Sequence, residues 1–211
     1  MYYGVTQGNV EWILGKCRIC LANEENREPR IVTPILSRRT LDRVYIDLMD
    51  FTSQPDGEYT WVLQLKDHFS RMIWLFPLRN KESKEVAQAL YIFLTWCGQP
   101  RRFYSDNGGE FAGEVNDLLE NRNPPIPITH GRPYHPQTQG SIEVANKTFK
   151  LRLGALRAER GLPRDWVKLL PELQEVTNTT PNRQLPSHVT PFEVWFGRKP
   201  HWISPDLSIN E

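Results

Sequence analysis

Three carboxylates occupy positions where their residue type and surroundings could do chemistry. Asp47 lies inside the apolar run VYIDLMDF, where a charge is costly unless it is paired, bound to a cation or placed at a sheet edge. Asp106 directly precedes the turn-forming string NGG, which lets the backbone bend and leaves room for a substrate. Glu143 follows the loop-like string PQTQGSI. Taken singly, each is typical of an ordinary paired, turn or solvent-exposed residue; together they could bind Mg²⁺ or Mn²⁺, which prefer oxygen ligands.

The helix predicted around Glu143 places polar groups beside this carboxylate. At about 100° per residue, Lys147 and Lys150 fall within about 40° of Glu143, and Asn146 falls within about 60°. The apolar residues of the same segment form a separate stripe: Ala145, Phe149, Leu153 and Leu156. Glu143 therefore belongs to a polar face that could bind a metal and contact phosphate. The alternative is a solvent-exposed ion pair of Glu143 with Lys147, four residues later.

The elements that would position these residues follow a mixed order. Strand patterns bounded by turn signals are predicted at 43–51, 59–67, 72–78, 101–106 and 125–131. Helical patterns are predicted at 81–98, 109–122, 141–160, 165–178 (kinked or started by Pro171) and within 190–202, with a loop at 132–140. Short turns join the first strands into an antiparallel meander, and Asp67 and Ser70 are expected to serve one of these turns. The order predicts an α/β fold with a mixed five-stranded sheet flanked by helices.

Composition limits the class of protein. The chain has 211 residues, of which 39% are hydrophobic, enough for one core domain and a small appendage. Its formal charge is only +1, so any contact with nucleic acid must come from a local cluster of cations. No apolar run approaches the roughly 18 residues of a membrane helix, and the N-terminal residues lack a secretion-signal pattern. Three cysteines do not suggest a disulfide scaffold.

Five strings resemble the integrase catalytic core of retroviruses and gypsy-type LTR retrotransposons, and together they cover most of the chain. They are VYIDLMDF, LKDHFSRMIWLFPL, FYSDNGGEF, PYHPQTQGSIEVANKTFK and NTTPNRQLPSHVTPFEVWFGRKP. The chain departs from the family pattern in two ways. The 36 residues between Asp106 and Glu143 are one more than the common spacing. Val144 and Ala145 stand where a basic–aromatic pair is frequent, which would weaken DNA contact there.

The resemblance implies a ribonuclease-H-like fold in which Asp47, Asp106 and Glu143 form a D,D,E triad that binds two Mg²⁺ or Mn²⁺ ions. It implies polynucleotidyl transfer, namely 3′-end processing of retroelement DNA and its strand transfer into target DNA, in the nucleus and by a homo-oligomer. Candidate DNA contacts are Asn146, Lys147 and Lys150 on the helix and Tyr134, Gln137 and Gln139 in the loop.

The N-terminal segment resembles the second half of the His-His-Cys-Cys zinc module that precedes integrase cores. Cys17 and Cys20 have zinc-ligand spacing, but no histidine is present in residues 1–16. Zinc binding is therefore expected only in a longer chain that supplies the histidines, and an unmetallated pair is an equally good interpretation here. The predicted organisation is a partial zinc module and linker at 1–37, a catalytic core with helical extension at 38–200, and a tail at 201–211.

Two other functions fit the same sequence. A catalytically silent, integrase-derived module that binds DNA or protein would explain the near-neutral charge, the missing histidines and the end at Glu211, before the basic C-terminal domain of full integrases. A plain metal-dependent nuclease of the same fold is less favoured, because the strings PYHPQTQG and TPFEVWFGRKP are integrase-like.

Overall fold

The computed structural model describes residues 4, 6–14, 16, 37–106, 108–130, 136–162 and 165–201; within the helices, the side chains of residues 11, 14, 136–145, 147, 148 and 187 lie outside this description. The chain divides into two compact units, Met1–Leu36 and Ser37–Glu211. In the first unit the described element is α1 (Gln7–Leu14), where the Thr6 hydroxyl accepts a hydrogen bond from the Asn9 backbone N–H. A search of the described helices for one long and apolar enough to cross a bilayer finds none.

The second unit contains a mixed five-stranded sheet. Its strands are β1 (Val44–Asp50), β2 (Trp61–Asp67), β3 (Ile73–Leu78), β4 (Phe103–Ser105) and β5 (Ile128–His130). They are ordered β3-β2-β1-β4-β5 across the sheet. β1, β2 and β3 are antiparallel neighbours, whereas β4 runs parallel to β1 and β5 runs parallel to β4. The predicted meander and the predicted mixed sheet are both confirmed.

Five helices accompany this sheet. They are α2 (Ser83–Cys97), α3 (Glu114–Glu120), α4 (Pro136–Arg160), α5 (Trp166–Thr179) and α6 (Pro191–Phe196), with 3₁₀ turns at Gly109–Phe111 and Pro186–His188. The helix α6 is preceded by its N-cap residue Thr190, whose side chain forms a capping box with Glu193, and is followed by its C-cap residue Gly197, which has a positive φ of 68°. This arrangement satisfies free backbone groups at both ends of a very short helix.

Alternation along the strands produces two hydrophobic cores, one on each face of the sheet. Val44, Ile46, Leu63, Leu65 and Phe103 face α2 and α3 and pack against their apolar residues, including Val86, Leu90, Phe93, Val115 and Leu119. Met49, Val62, Ile73 and Leu75 face the other way and pack against α4 and α5, through Phe149, Leu153, Trp166, Leu169, Leu170 and Leu173. The predicted apolar stripe of α4 is therefore buried at Phe149 and Leu153.

The helix boundaries correct three predictions. The segment 109–122 is not one helix, because Gly113 interrupts it with φ 55°. The helix α4 begins at Pro136 and not at 141, so residues 136–140 were wrongly predicted as loop; proline fits a first helical turn, where its missing N–H has no partner to lose. The helix α5 begins at Trp166 and continues through Pro171, so Pro171 does not start it.

The outer edge of β3 is covered by side chains of α5. The backbone N–H of Ile73 donates to Asn178 Oδ1 (2.9 Å), and Asn178 Nδ2 donates back to the Ile73 carbonyl (2.9 Å). The next outward N–H, that of Leu75, donates to Gln174 Oε1 (2.8 Å). Two amide side chains thus substitute for a neighbouring strand at this edge.

Candidate active site

Asp47 lies on the face of β1 that is turned towards α4 and α5. Residues two apart on a strand share a face, so Asp47 lies on the same side as Met49, which is buried in the core beneath these helices. Its partner across β2 is Gln64. The side-chain amide of Asn146, from α4, lies close enough to Asp47 to lower the pKa of this carboxyl. The sequence therefore places a half-buried carboxylate where a strand and a helix meet.

Asp106 directly follows β4 and is exposed. Its carboxylate Oδ1 accepts a long hydrogen bond from the Gly108 backbone N–H (3.3 Å). Its carbonyl oxygen is held by two neighbours. The Ser105 hydroxyl donates to it at 2.9 Å, and His130 Nδ1 lies 3.0 Å away. Sequence reasoning missed Ser105 and His130 because only the parallel register of β4 and β5, which pairs these two residues, brings them together.

Strand register places the two aspartates on neighbouring strands at corresponding positions. Tyr45 of β1 pairs with Tyr104 of β4 in parallel register, and Asp47 and Asp106 each lie two residues further along. They therefore continue in the same direction and on the same face of the sheet. Burial raises the pKa of Asp47, and the negative charge of Asp106 raises it further; the Asn146 side-chain amide and the Leu48 backbone N–H oppose this rise. The negative charges of the two carboxylates thus repel each other.

Glu143 lies in α4, three residues before Asn146. Three residues are just under one helical turn, so Glu143 occupies the turn next to the residue that contacts Asp47. The side chain of Glu143 lies outside the described residues, as do those of Gln137, Gln139 and Lys147. Gln137 and Gln139, predicted in a loop, belong to the first turns of α4.

Of the remaining predicted site residues, Lys150 has a described side chain. It is exposed; its Nζ donates to the Asp50 carbonyl (3.2 Å) and lies 5.4 Å from the centre of the Phe51 ring. Lys150 therefore lies beside the end of β1, on the same side of the sheet as Asn146. Tyr134, Cys17 and Cys20 lie outside the described residues.

The donor set fits a divalent cation that prefers oxygen. Within the side chains that the structure describes, no group of three His, Cys, Asp or Glu residues is close enough to hold a metal; Glu143 is not among them. Asp47 and Asp106 supply carboxylate oxygens. Burial and then the charge of Asp106 raise the pKa of Asp47, and a bound cation would oppose both effects by stabilising the ionised carboxylate. Such ligands suit Mg²⁺ or Mn²⁺ better than softer metals.

The mixed sheet, the helices on both of its faces and the two converging aspartates define a ribonuclease-H-like α/β domain. Residues 42–136 match the family model described as "Integrase core domain". This segment runs from the residues before β1 to the start of α4 and includes Asp47 and Asp106. Residues 42–136 therefore match an integrase core domain, as the sequence motifs predicted.

Two known proteins, one human and one viral, match most of this chain. The chain is 31% identical over 203 residues to human "KRAB-A domain-containing protein 2", covering 94% of this chain and 40% of that protein. It is 28% identical over 188 residues to the "Pro-Pol polyprotein" of simian foamy virus type 3 (strain LK3), covering 88% of this chain and 16% of the polyprotein. The chain thus spans less than half the length of either relative.

A solved structure shares the fold. The HTLV-2 integrase catalytic core domain, determined in complex with magnesium in a trimeric form, superposes with a TM-score of 0.60 and 17% sequence identity. The match covers 75% of this chain and 99% of that one. At this identity the likeness establishes the ribonuclease-H-like architecture of the sheet and helices.

Proposed function

We propose that this chain is an integrase-type polynucleotidyl transferase that depends on divalent metal ions. It would trim the 3′ ends of retroelement DNA and transfer them into target DNA. The observation that carries the proposal is that Asp47 and Asp106 lie at corresponding positions on one face of the sheet, close to Asn146 of the helix that contains Glu143. The integrase core domain at residues 42–136 supports the same class of reaction.

Asp47, Asp106 and Glu143 are the residues proposed to hold two Mg²⁺ or Mn²⁺ ions. When bound, such ions activate a hydroxyl nucleophile and stabilise charge on the leaving oxygen of a phosphodiester. The Asn146 side-chain amide lies beside Asp47 and favours its ionised form. Ser105 and His130 fix the backbone of Asp106 by contacting its carbonyl oxygen. These contacts keep the ligand positions in place before substrate arrives.

The proposed reaction is an in-line displacement at phosphorus. In end processing, a water oxygen bonds to phosphorus as the bond from phosphorus to the 3′ oxygen breaks; the water proton leaves and the 3′ oxygen is released as a hydroxyl. In strand transfer, that 3′-hydroxyl oxygen attacks a target phosphodiester in the same way. The enzyme forms no covalent intermediate, so its side chains need only hold and orient the reacting groups.

The proposal also names partners. The substrates are the DNA ends of the element and the target DNA, in the nucleus. Lys147, Lys150, Tyr134, Gln137 and Gln139 remain candidate contacts. A homo-oligomer is proposed, in line with the trimeric form named for the HTLV-2 catalytic core. Cys17 and Cys20 are proposed as zinc ligands only in a longer chain that supplies two histidines.

Metal binding is testable by thermal melting. Titration with Mg²⁺ or Mn²⁺ should raise the Tm of the parent, because a ligand that binds only the folded state stabilises it. The Asp106→Asn variant should lose most of this rise. Asp117→Asn, at an exposed carboxylate of α3, is the matched control and should keep it. A parent Tm that does not respond to either metal would argue against an organised site.

Catalysis is testable by nicking of supercoiled plasmid in Mn²⁺, which needs no cognate end sequence. The parent and Asp117→Asn should nick the plasmid, leaving 3′-hydroxyl ends, and Asp106→Asn should be at least about a hundredfold slower, a typical loss when a group that stabilises transition-state charge is removed. Full activity of Asp106→Asn would contradict the assignment.

A second candidate function is a catalytically silent module that binds DNA or protein. The near-neutral net charge and the similarity to a human protein named for a different domain favour it. The same assays discriminate the two functions. A parent that binds DNA and responds to metal, yet does not nick plasmid under any metal condition, would support the silent module over the enzyme.

A further inference from the structure

The sheet face that carries Asp47 also carries a row of cationic side chains. Tyr45 lies two residues before Asp47 on β1, and Arg43 lies directly before this strand, where its carbonyl accepts a hydrogen bond from the His68 backbone N–H. The alternation of side chains therefore places all three on one face. Lys66 lies opposite Tyr45 on β2, and Tyr104 lies opposite it on β4. The Arg43 guanidinium lies 5.8 Å from the centre of the Tyr104 ring. Cations and tyrosines therefore continue the site beyond its carboxylates.

Arg71 adds a third cation from the turn between β2 and β3. Burial lowers the pKa of Lys66 and the charge of Arg71 lowers it further, which places the guanidinium in the same neighbourhood. Arg71 adopts a positive φ of 66°, a conformation that favours glycine and is strained for a long side chain. A strained non-glycine residue is commonly kept where its side chain is needed.

These cations lack ion-pair partners among the described residues. Arg43 Nη1 and Arg71 Nε are buried without a hydrogen-bond partner. The carboxylate whose charge reaches Arg71 is Asp67, and its oxygens accept hydrogen bonds from the Leu41 backbone N–H (2.9 Å) and from Ser70 (2.7 Å). The hydrogen bonds of the Asp67 carboxylate thus stabilise the turn, as the sequence predicted. This carboxylate forms no ion pair with Arg71.

Burial makes this arrangement costly for the protein alone. Burial lowers the pKa of Lys66, and the nearby charge of Arg71 lowers it further. Burial also lowers the pKa of Arg71. Each shift means that the charged form is destabilised at its position. An anion placed among the three side chains would offset this cost and would satisfy the unpartnered guanidinium nitrogens.

We propose that Arg43, Lys66 and Arg71 form a phosphate subsite that binds the nucleic-acid strand beside the phosphodiester under attack. The substrate class rests on the proposed function. Two residues along a strand span about 6.6–6.8 Å. Lys66, opposite Tyr45, is therefore displaced from Asp47 by about this distance along the strand direction, on the same face. A nucleic-acid strand has phosphates at regular intervals, so one strand can place a phosphodiester at the carboxylates and a neighbouring phosphate at the cations of this face.

The test is DNA binding in EDTA, which separates the subsite from the metal. Binding of a fluorescein-labelled single-stranded oligonucleotide is followed by fluorescence anisotropy over a range of salt concentrations. Lys66→Met and Arg71→Gly should each weaken binding about fivefold at low salt and reduce the slope of log K against log salt by about 0.7, the value for one lost phosphate contact on a single strand. Lys84→Met, at an exposed lysine of α2 across the sheet, should bind like the parent.

The Arg71→Gly variant also distinguishes a loss of DNA affinity from a loss of folding stability. Glycine adopts the positive φ without strain, so this variant should melt no lower than the parent while it loses affinity. Parent-like affinity and salt slope in both Lys66→Met and Arg71→Gly would overturn the subsite. Competition by oligoglutamate as effective as by unlabelled oligonucleotide would overturn its assignment to nucleic acid. Binding in EDTA requires no catalytic turnover, so it tests the subsite alone. The proposed function is tested separately by plasmid nicking, and it fails if nicking survives the Asp106→Asn substitution.

Discussion

Asp47 combines partial burial with a neighbouring like charge. Its carboxylate lies on the sheet face beneath α4, and its pKa is raised first by burial and then by the charge of Asp106. A raised carboxyl pKa means that the folded state binds the proton more tightly than the unfolded state does. In the metal-free protein at neutral pH, the ionised Asp47 therefore destabilises the fold.

Asp47→Asn should accordingly stabilise the metal-free protein at neutral pH. The expected gain in Tm is about 3 °C, since about 1 kcal/mol corresponds to 2–4 °C at this size. The gain should shrink as the pH falls through the raised pKa towards the ordinary value of 3.8, because the parent carboxyl then becomes neutral as well. Melting curves in EDTA across this pH range measure both effects, and a lower Tm for the variant at neutral pH would contradict the account.

Cys97 is a thiol with low reactivity. Burial raises its pKa to about 11, so only a very small fraction is thiolate at pH 8. Because the thiolate is the reactive form, alkylation of Cys97 by iodoacetamide should be on the order of a hundredfold slower than that of an unperturbed thiol of pKa about 8.5. Peptide mapping by mass spectrometry follows this residue separately, and addition of urea should restore the ordinary rate. A fast reaction in the native protein would show that the thiol is accessible.

The residues of the site differ in how far the sequence could predict them. Asp47 and Asp106 were predictable, because a charge in an apolar strand and an aspartate before two glycines are unusual locally. His130, Lys66 and Arg71 were not. Their neighbours come from other elements, so only strand register and turn geometry identify them.

At the scale of elements, the side chains of Asn178 and Gln174 in α5 form hydrogen bonds to the backbone of β3. We call these two side chains and their hydrogen bonds the seam. Asn178 is buried and makes two hydrogen bonds to the backbone of Ile73, and Gln174 accepts one from Leu75. The amphipathic pattern of α5 was readable from the sequence. The seam was not, because a polar residue in a helix gives no local indication that it will meet a strand edge.

Asn178→Ala should lower stability by about 3 kcal/mol, since it leaves a buried backbone N–H and a buried carbonyl without partners. At 2–4 °C per kcal/mol, the Tm should fall by about 6–12 °C. Chemical denaturation and melting both measure the loss. Asn116→Ala, in the partly exposed part of α3, is the matched control and should change the Tm by about 1 °C or less, because alanine is the better helix former. Equal effects of the two substitutions would contradict the role of the seam.

The start of α4 illustrates the limit of local patterns. The string PQTQG contains proline and glycine, which are typical of loops, yet Pro136 begins a helix of 25 residues. Proline is acceptable there because the first helical N–H groups have no internal partner. The sequence of a loop and the sequence of a helix start are therefore similar locally. Packing of Phe149 and Leu153 further along the chain stabilises the helix.

At the scale of the second unit, one sheet separates two hydrophobic cores. Phe93 of α2 is buried on one face and Leu170 of α5 on the other. The strands β1, β2 and β3 each contribute side chains to both cores, so neither core can be lost without exposing the other side of the same strands. The two cores should therefore unfold together.

Phe93→Ala and Leu170→Ala test this coupling. Each should cost about 3–4 kcal/mol, as is usual for a large buried side chain replaced by alanine, and each should leave a single unfolding transition. Far-UV circular dichroism and tryptophan fluorescence report the same midpoint when unfolding is two-state. Separate midpoints for the two probes in either variant would show that the cores are independent.

The order of elements carried most of the fold prediction. Three strands joined by short turns and followed by alternating helices and strands allow few topologies. The mixed class of the sheet could therefore be predicted before any contact was known. The strand order across the sheet and the assignment of helices to faces depend on long-range packing, and neither is encoded in any single segment.

The seam along β3 has a consequence for how copies of this protein can associate. With that margin occupied by Asn178 and Gln174, the opposite margin of the sheet is β5, which has only three residues. Within the described part of the sheet, neither margin offers a long run of backbone groups to a neighbouring chain. Among the described elements, self-association must then rely on helix surfaces. Its strength can accordingly be adjusted by single surface substitutions, while the hydrogen-bonded framework that holds the aspartates stays intact.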